Sequence, residues 1–117
     1  MGLIELNAKN FSKEVFESDK LCVVEFGAKW CPPCKAMKKI MEELSSEPSD
    51  DVEYCFIDAE ANHTISRKCA IEQLPQVLIF DGNIIKRRVI GYVSKEELEK
   101  LISNVVKFTK QKGIENL

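Results

Sequence analysis

Cys31 and Cys34 are the residues of this chain best placed to do chemistry, within Trp30-Cys31-Pro32-Pro33-Cys34-Lys35. Two thiols three positions apart form a compact two-electron couple. The run Leu21-Cys22-Val23-Val24-Glu25-Phe26 before them reads as a buried strand, and Met37, Ile40, Met41 and Leu44 after them have helical spacing. That order puts Cys31 just before or at a helix N-terminus and Cys34 inside the first turn. The first backbone N–H groups of a helix lack intrahelical partners, and the helix dipole presents its positive end there, so an anion is favoured. The anion that matters is a thiolate, the nucleophile of thiol–disulfide exchange. The site reads as redox chemistry.

The elements that must position this pair follow from periodicity and turn chemistry. Leu3 to Leu6 is a short strand candidate, and Asn10 to Ser18 reads as a helix with Phe11, Val15 and Phe16 on one side and Asn10 or Ser12 as cap. Leu21 to Phe26 is a central strand, and the helix after Cys31 ends near Ser45-Ser46-Glu47-Pro48. Val52 to Asp58 is a third strand, and Asn62 to Cys69 a short helix capped by Asn62. Val77 to Phe80 and Ile84 to Ile90 form a hairpin across Asp81-Gly82-Asn83. Gly91 ends or bends the last strand. Ser94 and Glu97 make a capping box for a helix whose apolar face is Leu98, Leu101, Ile102 and Val105. The order β-α-β-α-β-α-β-β-α implies an α/β fold, a mixed central sheet with helices on both faces. We expect a domain over residues 1–106 and a polar tail over 107–117 that frays.

Bulk properties narrow the function classes. The 117 residues suffice for one domain with a real core, and 44% apolar with 31% charged residues is ordinary for a soluble protein. A net charge of −2 points to neither nucleic acid nor an anionic membrane as partner. Met1 to Asn7 lacks the basic and long apolar regions of a secretory signal, Leu6 breaks a myristoylation motif, and no run approaches a membrane span. Five cysteines, an odd number, argue against a secreted disulfide framework. Cys22 and Cys55 lie in strand-like runs as small core residues. A reducing cytoplasm is the expected compartment, where a CxxC pair is catalytic more often than structural.

From about Leu3 to Val106 the sequence resembles the thioredoxin family. The resemblance rests on Glu25 in the strand before the site, on Trp30 to Lys35, on Pro75 after the third helix, and on Gly91 before the last. It implies a thioredoxin fold and a disulfide reductase without cofactor or metal beyond a redox-active Cys31–Cys34 disulfide. Cys31 would attack as the more exposed thiolate, and Cys34 would resolve the mixed disulfide. Glu25, buried beneath Cys34, would exchange its proton. The resemblance further implies a cis Leu74–Pro75 bond and a substrate surface of Trp30, Pro33, Leu74, Pro75 and Gly91, with the Leu74 backbone pairing an extended segment. The partners implied are protein disulfides and a reductase or other dithiol donor, and the charged surface favours a monomer.

Several positions depart from the family pattern. Pro32 stands for the usual Gly between the cysteines, which bears on the direction of electron flow. Gly27 stands where a Trp is common, opening space beside the active-site helix. Tyr54 replaces a buried Lys that often sits near the acid, leaving Glu25 without that partner. Lys39 replaces a kinking proline, and Gln76 the Thr after the cis proline. Cys69 reads as a structural thiol near the active-site face, with a regulatory or dimer-forming role as its alternative. His63 reads as a solvent-facing residue rather than half of a zinc site, and Lys86-Arg87-Arg88 as solvated edge charge. A disulfide oxidase or isomerase, and a non-catalytic interaction module, remain the competing functions.

Overall fold

Seven consecutive buried residues, Leu21–Gly27, form β2, the middle strand of the sheet. The computed structural model describes the backbone of residues 2–115 and the side chains of residues 2–110. Around β2 stand β1 (Ile4–Leu6), β3 (Val52–Asp58), β4 (Gln76–Asp81) and β5 (Ile84–Ile90), in the spatial order β1-β3-β2-β4-β5. The first three strands of that order run parallel, and β4 and β5 are antiparallel additions. Three helices accompany them, α1 (Pro32–Ser45), α2 (His63–Lys68) and α3 (Lys95–Glu115). This is the expected mixed sheet of a thioredoxin fold.

Strand alternation explains the two layers. Leu21 and Val23 of β2 face Met37, Ile40, Met41 and Leu44 of α1 and Leu98, Ile102 and Val105 of α3. Cys22, Val24 and Phe26 face the other way, against Phe11, Val15 and Cys69. Both faces of β2 are therefore covered, which is why its sequence shows no polar alternation. Glu25 has the parity of Leu21 and Val23, so its carboxyl projects under α1. Cys22, Cys55 and Cys69 are free and buried, as core thiols should be. The thiol of Cys69 is pushed up by that burial.

Two local expectations change. The segment expected as a helix over Asn10–Ser18 is a single wide turn, Ser12–Phe16, in which the Glu17 N–H donates to the Ser12 carbonyl at 3.1 Å. Neither Asn10 nor Ser12 caps it. Asn10 is held in the preceding turn, its Oδ1 accepting the Asn7 N–H while Asn7 Oδ1 accepts the N–H groups of Lys9 and Asn10. The wide turn brings Phe11 and Phe16 against Phe80, at 5.9 and 6.2 Å between ring centroids. Asn62 likewise gives α2 no side-chain cap, and its Nδ2 donates to the Asp58 carbonyl at 2.9 Å. Finally, α3 runs past residue 106, through Lys107 as far as Glu115, and Lys110 Nζ lies 3.3 Å from Asp51 Oδ2. Asn116 and Leu117, the end of the expected tail, lie outside the described residues.

The hairpin and the final helix start form as expected. Asp81 pairs with Ile84 across Gly82-Asn83, and Gly82 takes a φ of +60°, the left-handed region that a Cβ disfavours. The Glu97 N–H donates to Ser94 Oγ at 3.2 Å, and the hydroxyl in turn reaches Glu97 Oε1 at 3.3 Å. No helix among the described residues is long and apolar enough to cross a membrane.

Candidate active site

Cys31 is the N-cap of α1, with extended backbone, and Pro32 and Pro33 fill the first two helical positions. Prolines carry no N–H, so the helix start keeps few free donors. One of them, the Cys34 N–H, points back at Cys31 Sγ at 3.3 Å. The Lys35 N–H is already bound to the Cys31 carbonyl at 3.2 Å. The sulfur of Cys31 thus sits where a negative charge would be met by both a donor and the positive end of a helix. Cys31 and Cys34 are joined as a disulfide, with Cα atoms 5.2 Å apart. The expected contrast in exposure between them is slight in this state, 3% for Cys31 against 1% for Cys34. Both pack with Ala28, and Leu74 closes over the cluster.

Glu25 is fully buried, at 0% exposure, and neither carboxylate oxygen finds a hydrogen-bond partner among the described residues. Burial without partners disfavours the charged form and pushes its carboxyl up to about 8, against an opposing pull from Lys38 and a smaller push from Glu42. Its proximity to Cys34 can be read at Gly27. A methyl group there would stand 3.2 Å from both Glu25 Oε2 and Cys34 Cβ, and 2.9 Å from Phe56 Cε1. At Gly27 itself no room is left for a side chain, because Phe56, Cys34 and Glu25 already close on that point. As expected with Tyr54 in place of a lysine, neither oxygen of Glu25 has a partner among the described residues. Tyr54 does sit in β3 and packs against the α1/α3 core, but Lys38 of α1 brings a positive charge to the same side.

Across from the disulfide, the Leu74–Pro75 peptide bond is cis and Pro75 is buried. The Gly91 N–H donates to the Pro75 carbonyl at 2.8 Å, with Gly91 at a φ of +86°. No hydrogen bond among the described residues uses the Leu74 N–H or C=O, so both stay available to an extended partner. Trp30 is 65% exposed and Pro33 is exposed, and Tyr92 adds a second exposed ring beside Gly91.

Behind this loop the structure corrects one charge. Arg88, expected as solvated edge charge, turns inward and donates to Gln76 Oε1 at 2.9 Å, with a longer contact to the Ala70 carbonyl at 3.5 Å. Gln76 in turn donates to the Gln73 carbonyl at 3.1 Å. Edge position and backbone pairing to Leu78 give Arg88 room to fold back over the loop. Gln76, at the place of the usual Thr, is what it finds there. Replacing Arg88 by Ala leaves a buried amide oxygen without its charged donor, and should lower the unfolding free energy in urea by roughly 1–2 kcal/mol. Arg87→Ala, on the exposed side of the same strand, should stay within about 0.5 kcal/mol of the parent.

Sequence reasoning did not find Lys38, Phe56 or the Arg88–Gln76 bond. A signal existed for Lys38, which lies four residues after Cys34 and so on the same face of α1. None existed for Phe56, whose role depends on the register that sets Glu25 opposite it. His63 is exposed at the start of α2, in keeping with its reading as a surface residue.

Comparison with known proteins gives a consistent picture. The family model described as Thioredoxin matches residues 2–104. A thioredoxin of Buchnera aphidicola from Acyrthosiphon pisum is 34% identical over 100 residues, covering 86% of this chain and 93% of that protein. The thioredoxin of Buchnera aphidicola from Schizaphis graminum is 31% identical over 105 residues, covering 90% and 97%. That of Bacillus subtilis is 30% identical over 104 residues, covering 88% and 97%.

Proposed function

The chain belongs to the thioredoxin family, a family of thiol-disulfide oxidoreductases, and from that premise we infer that Cys31 is the attacking thiolate of a protein-disulfide reductase, Cys34 its resolving thiol and Glu25 the proton carrier. The observation that carries the reading is the placement of Cys31 Sγ at the start of α1, on the Cys34 N–H. In the reduced protein a Cys31 thiolate attacks a substrate disulfide. The Cys31–substrate bond forms, the substrate S–S bond breaks, and the first substrate sulfur leaves and takes a proton from solvent. Cys34 then passes its proton to Glu25 and attacks Cys31 Sγ. The Cys31–Cys34 bond forms, the mixed disulfide breaks, and the second substrate sulfur leaves as a thiolate and takes a proton from solvent. Two electrons have moved to the substrate, and the protein is left in its disulfide form with a proton on Glu25.

Recharging reverses these steps. When a dithiol donor opens the disulfide, Cys34 departs as a thiolate and receives the proton from Glu25. A carboxyl held near 8 is matched to both directions at neutral pH, because efficient acid–base groups titrate close to the working pH. Leu74, Pro75 and Gly91 form the groove wall for an extended substrate segment, and Trp30 and Pro33 its rim. We assign the protein to a reducing compartment, the cytoplasm, as a monomer, without a cofactor beyond the disulfide itself.

The direction of electron flow is tested by the reduction potential of the couple, equilibrated against defined dithiol buffers and followed by Trp30 fluorescence. A value of about −250 mV or lower is expected for a reductase, since electrons then run outward to substrates. A value near −120 mV would place the protein among oxidants and overturn the assignment.

A further inference from the structure

A cleft of about 430 Å³ opens beside the Cys34 end of the disulfide, between the start of α1 and the end of β3. Cys34, Phe56 and Lys38 are among the residues that line it, the Lys38 ammonium 4.2 Å from the centre of the Phe56 ring. The same ring brings its Cε1 to the point beside Gly27 that Glu25 Oε2 and Cys34 Cβ also approach. One aromatic ring therefore carries a cation on its face and lies close to the point that the buried carboxyl and the resolving cysteine also approach. We propose that Lys38 is a positioning residue of the redox site, its ammonium held on Phe56 so that it controls how readily Glu25 gives up its proton.

Three observations support this assignment. First, Phe56 lies against both groups, its face under the Lys38 ammonium and its Cε1 close to the point beside Gly27 that Glu25 Oε2 also approaches. Second, the other contacts of Lys38 do little for stability. Its pair with Glu5 is 4.0 Å long and Glu5 is well exposed, which makes that bond marginal. Third, the charges facing the site do not cancel it. Glu42 on α1 opposes Lys38, and Glu5 on β1 and Asp58 on β3 stand at the cleft with Lys29 and Lys35. Among these, Lys38 is the one that lies on Phe56 and exerts the largest pull on the Glu25 carboxyl. Removing it takes away a stabiliser of the ionised form, so the proton on Glu25 should be held more tightly. The proposal rests on Glu25 being the proton carrier, and the test separates the two.

In the oxidised protein the disulfide does not titrate, so the carboxyl band of Glu25 can be followed by isotope-edited infrared spectroscopy as pH is raised. Glu25→Gln identifies the band by abolishing it. The parent band should disappear close to pH 8. In Lys38→Met it should disappear at higher pH by about half a unit or more, at least a threefold gain in proton affinity, and Lys38→Arg should restore the parent value. Disulfide turnover at pH 7 should change with Lys38→Met in the parent and not in the Glu25→Gln background. Overlapping titrations of parent, Lys38→Met and Lys38→Arg near pH 8 would overturn the role of Lys38 and leave Glu25 intact. A parent band that titrates near 4.5 would instead overturn the proton-carrier reading itself. Thermal unfolding of Lys38→Met at the parent temperature checks that the fold is unchanged.

Discussion

Cys34→Ser should stop the reaction halfway, with Cys31 held in a mixed disulfide on nearly every molecule exposed to a protein disulfide. Cys31→Ser should form no such adduct. The difference follows from where the two sulfurs lie. Cys31 Sγ accepts the Cys34 N–H at the mouth of α1, which favours its thiolate, whereas Cys34 sits one turn deeper, toward Glu25. Without Cys34 there is no neighbouring thiol to expel the substrate, and release waits on an external thiol. Turnover in a protein-disulfide reduction assay should fall by on the order of a thousandfold or more in either variant, since the two thiols act as a unit. Non-reducing electrophoresis and intact mass distinguish them, with the adduct present in Cys34→Ser and removed by excess dithiol. An interaction module would bind its partners equally well in both variants and trap none. Adducts through Cys34 in the Cys31→Ser protein would reverse the assigned roles.

The parts of this site that were legible in the sequence are those fixed by local chemistry. The strand-to-helix junction, the Pro-filled first turn and the helix face of Met37, Ile40, Met41 and Leu44 need only periodicity and capping rules, and all form as expected. Glu25 was legible because a lone acid in an apolar strand has few places to go. What the sequence hid depends on register between distant segments. Phe56 comes beside Glu25 only because β2 and β3 pair Glu25 with Phe56, and a shift of one residue would have turned it to the other face. The crowding at Gly27 is invisible for the same reason. Arg88 was misread because a charge on an edge strand is usually solvated, and its acceptor, Gln76, lies twelve residues away across the hairpin. The wide turn over Ser12–Phe16 escaped because helical spacing of Phe11 and Val15 does not distinguish a standard turn from a wider one.

Glu25 should also set the pH dependence of stability. Its carboxyl titrates at about 4.5 when free and is pushed up to about 8 by burial in the folded chain. Between those values the unfolded chain has released a proton that the native chain still holds. Stability therefore falls as pH climbs from about 4.5 to about 8, and levels off above, once the native carboxyl ionises too. Integrated over that window the loss is roughly 4–5 kcal/mol. Glu25→Gln carries no titrating group, so its advantage over the parent should be small near pH 4.5 and grow by roughly that amount by pH 8.5. Urea unfolding of both oxidised proteins at pH 4.5, 6.5 and 8.5 measures the difference directly, and parallel stabilities at the three pH values would show that the carboxyl is not held protonated. The same variant should slow disulfide turnover at neutral pH. The two effects have one cause. Removing water and hydrogen-bond donors from around Glu25 destabilises its charge, and that destabilisation brings its proton affinity to the range where Cys34 can use it.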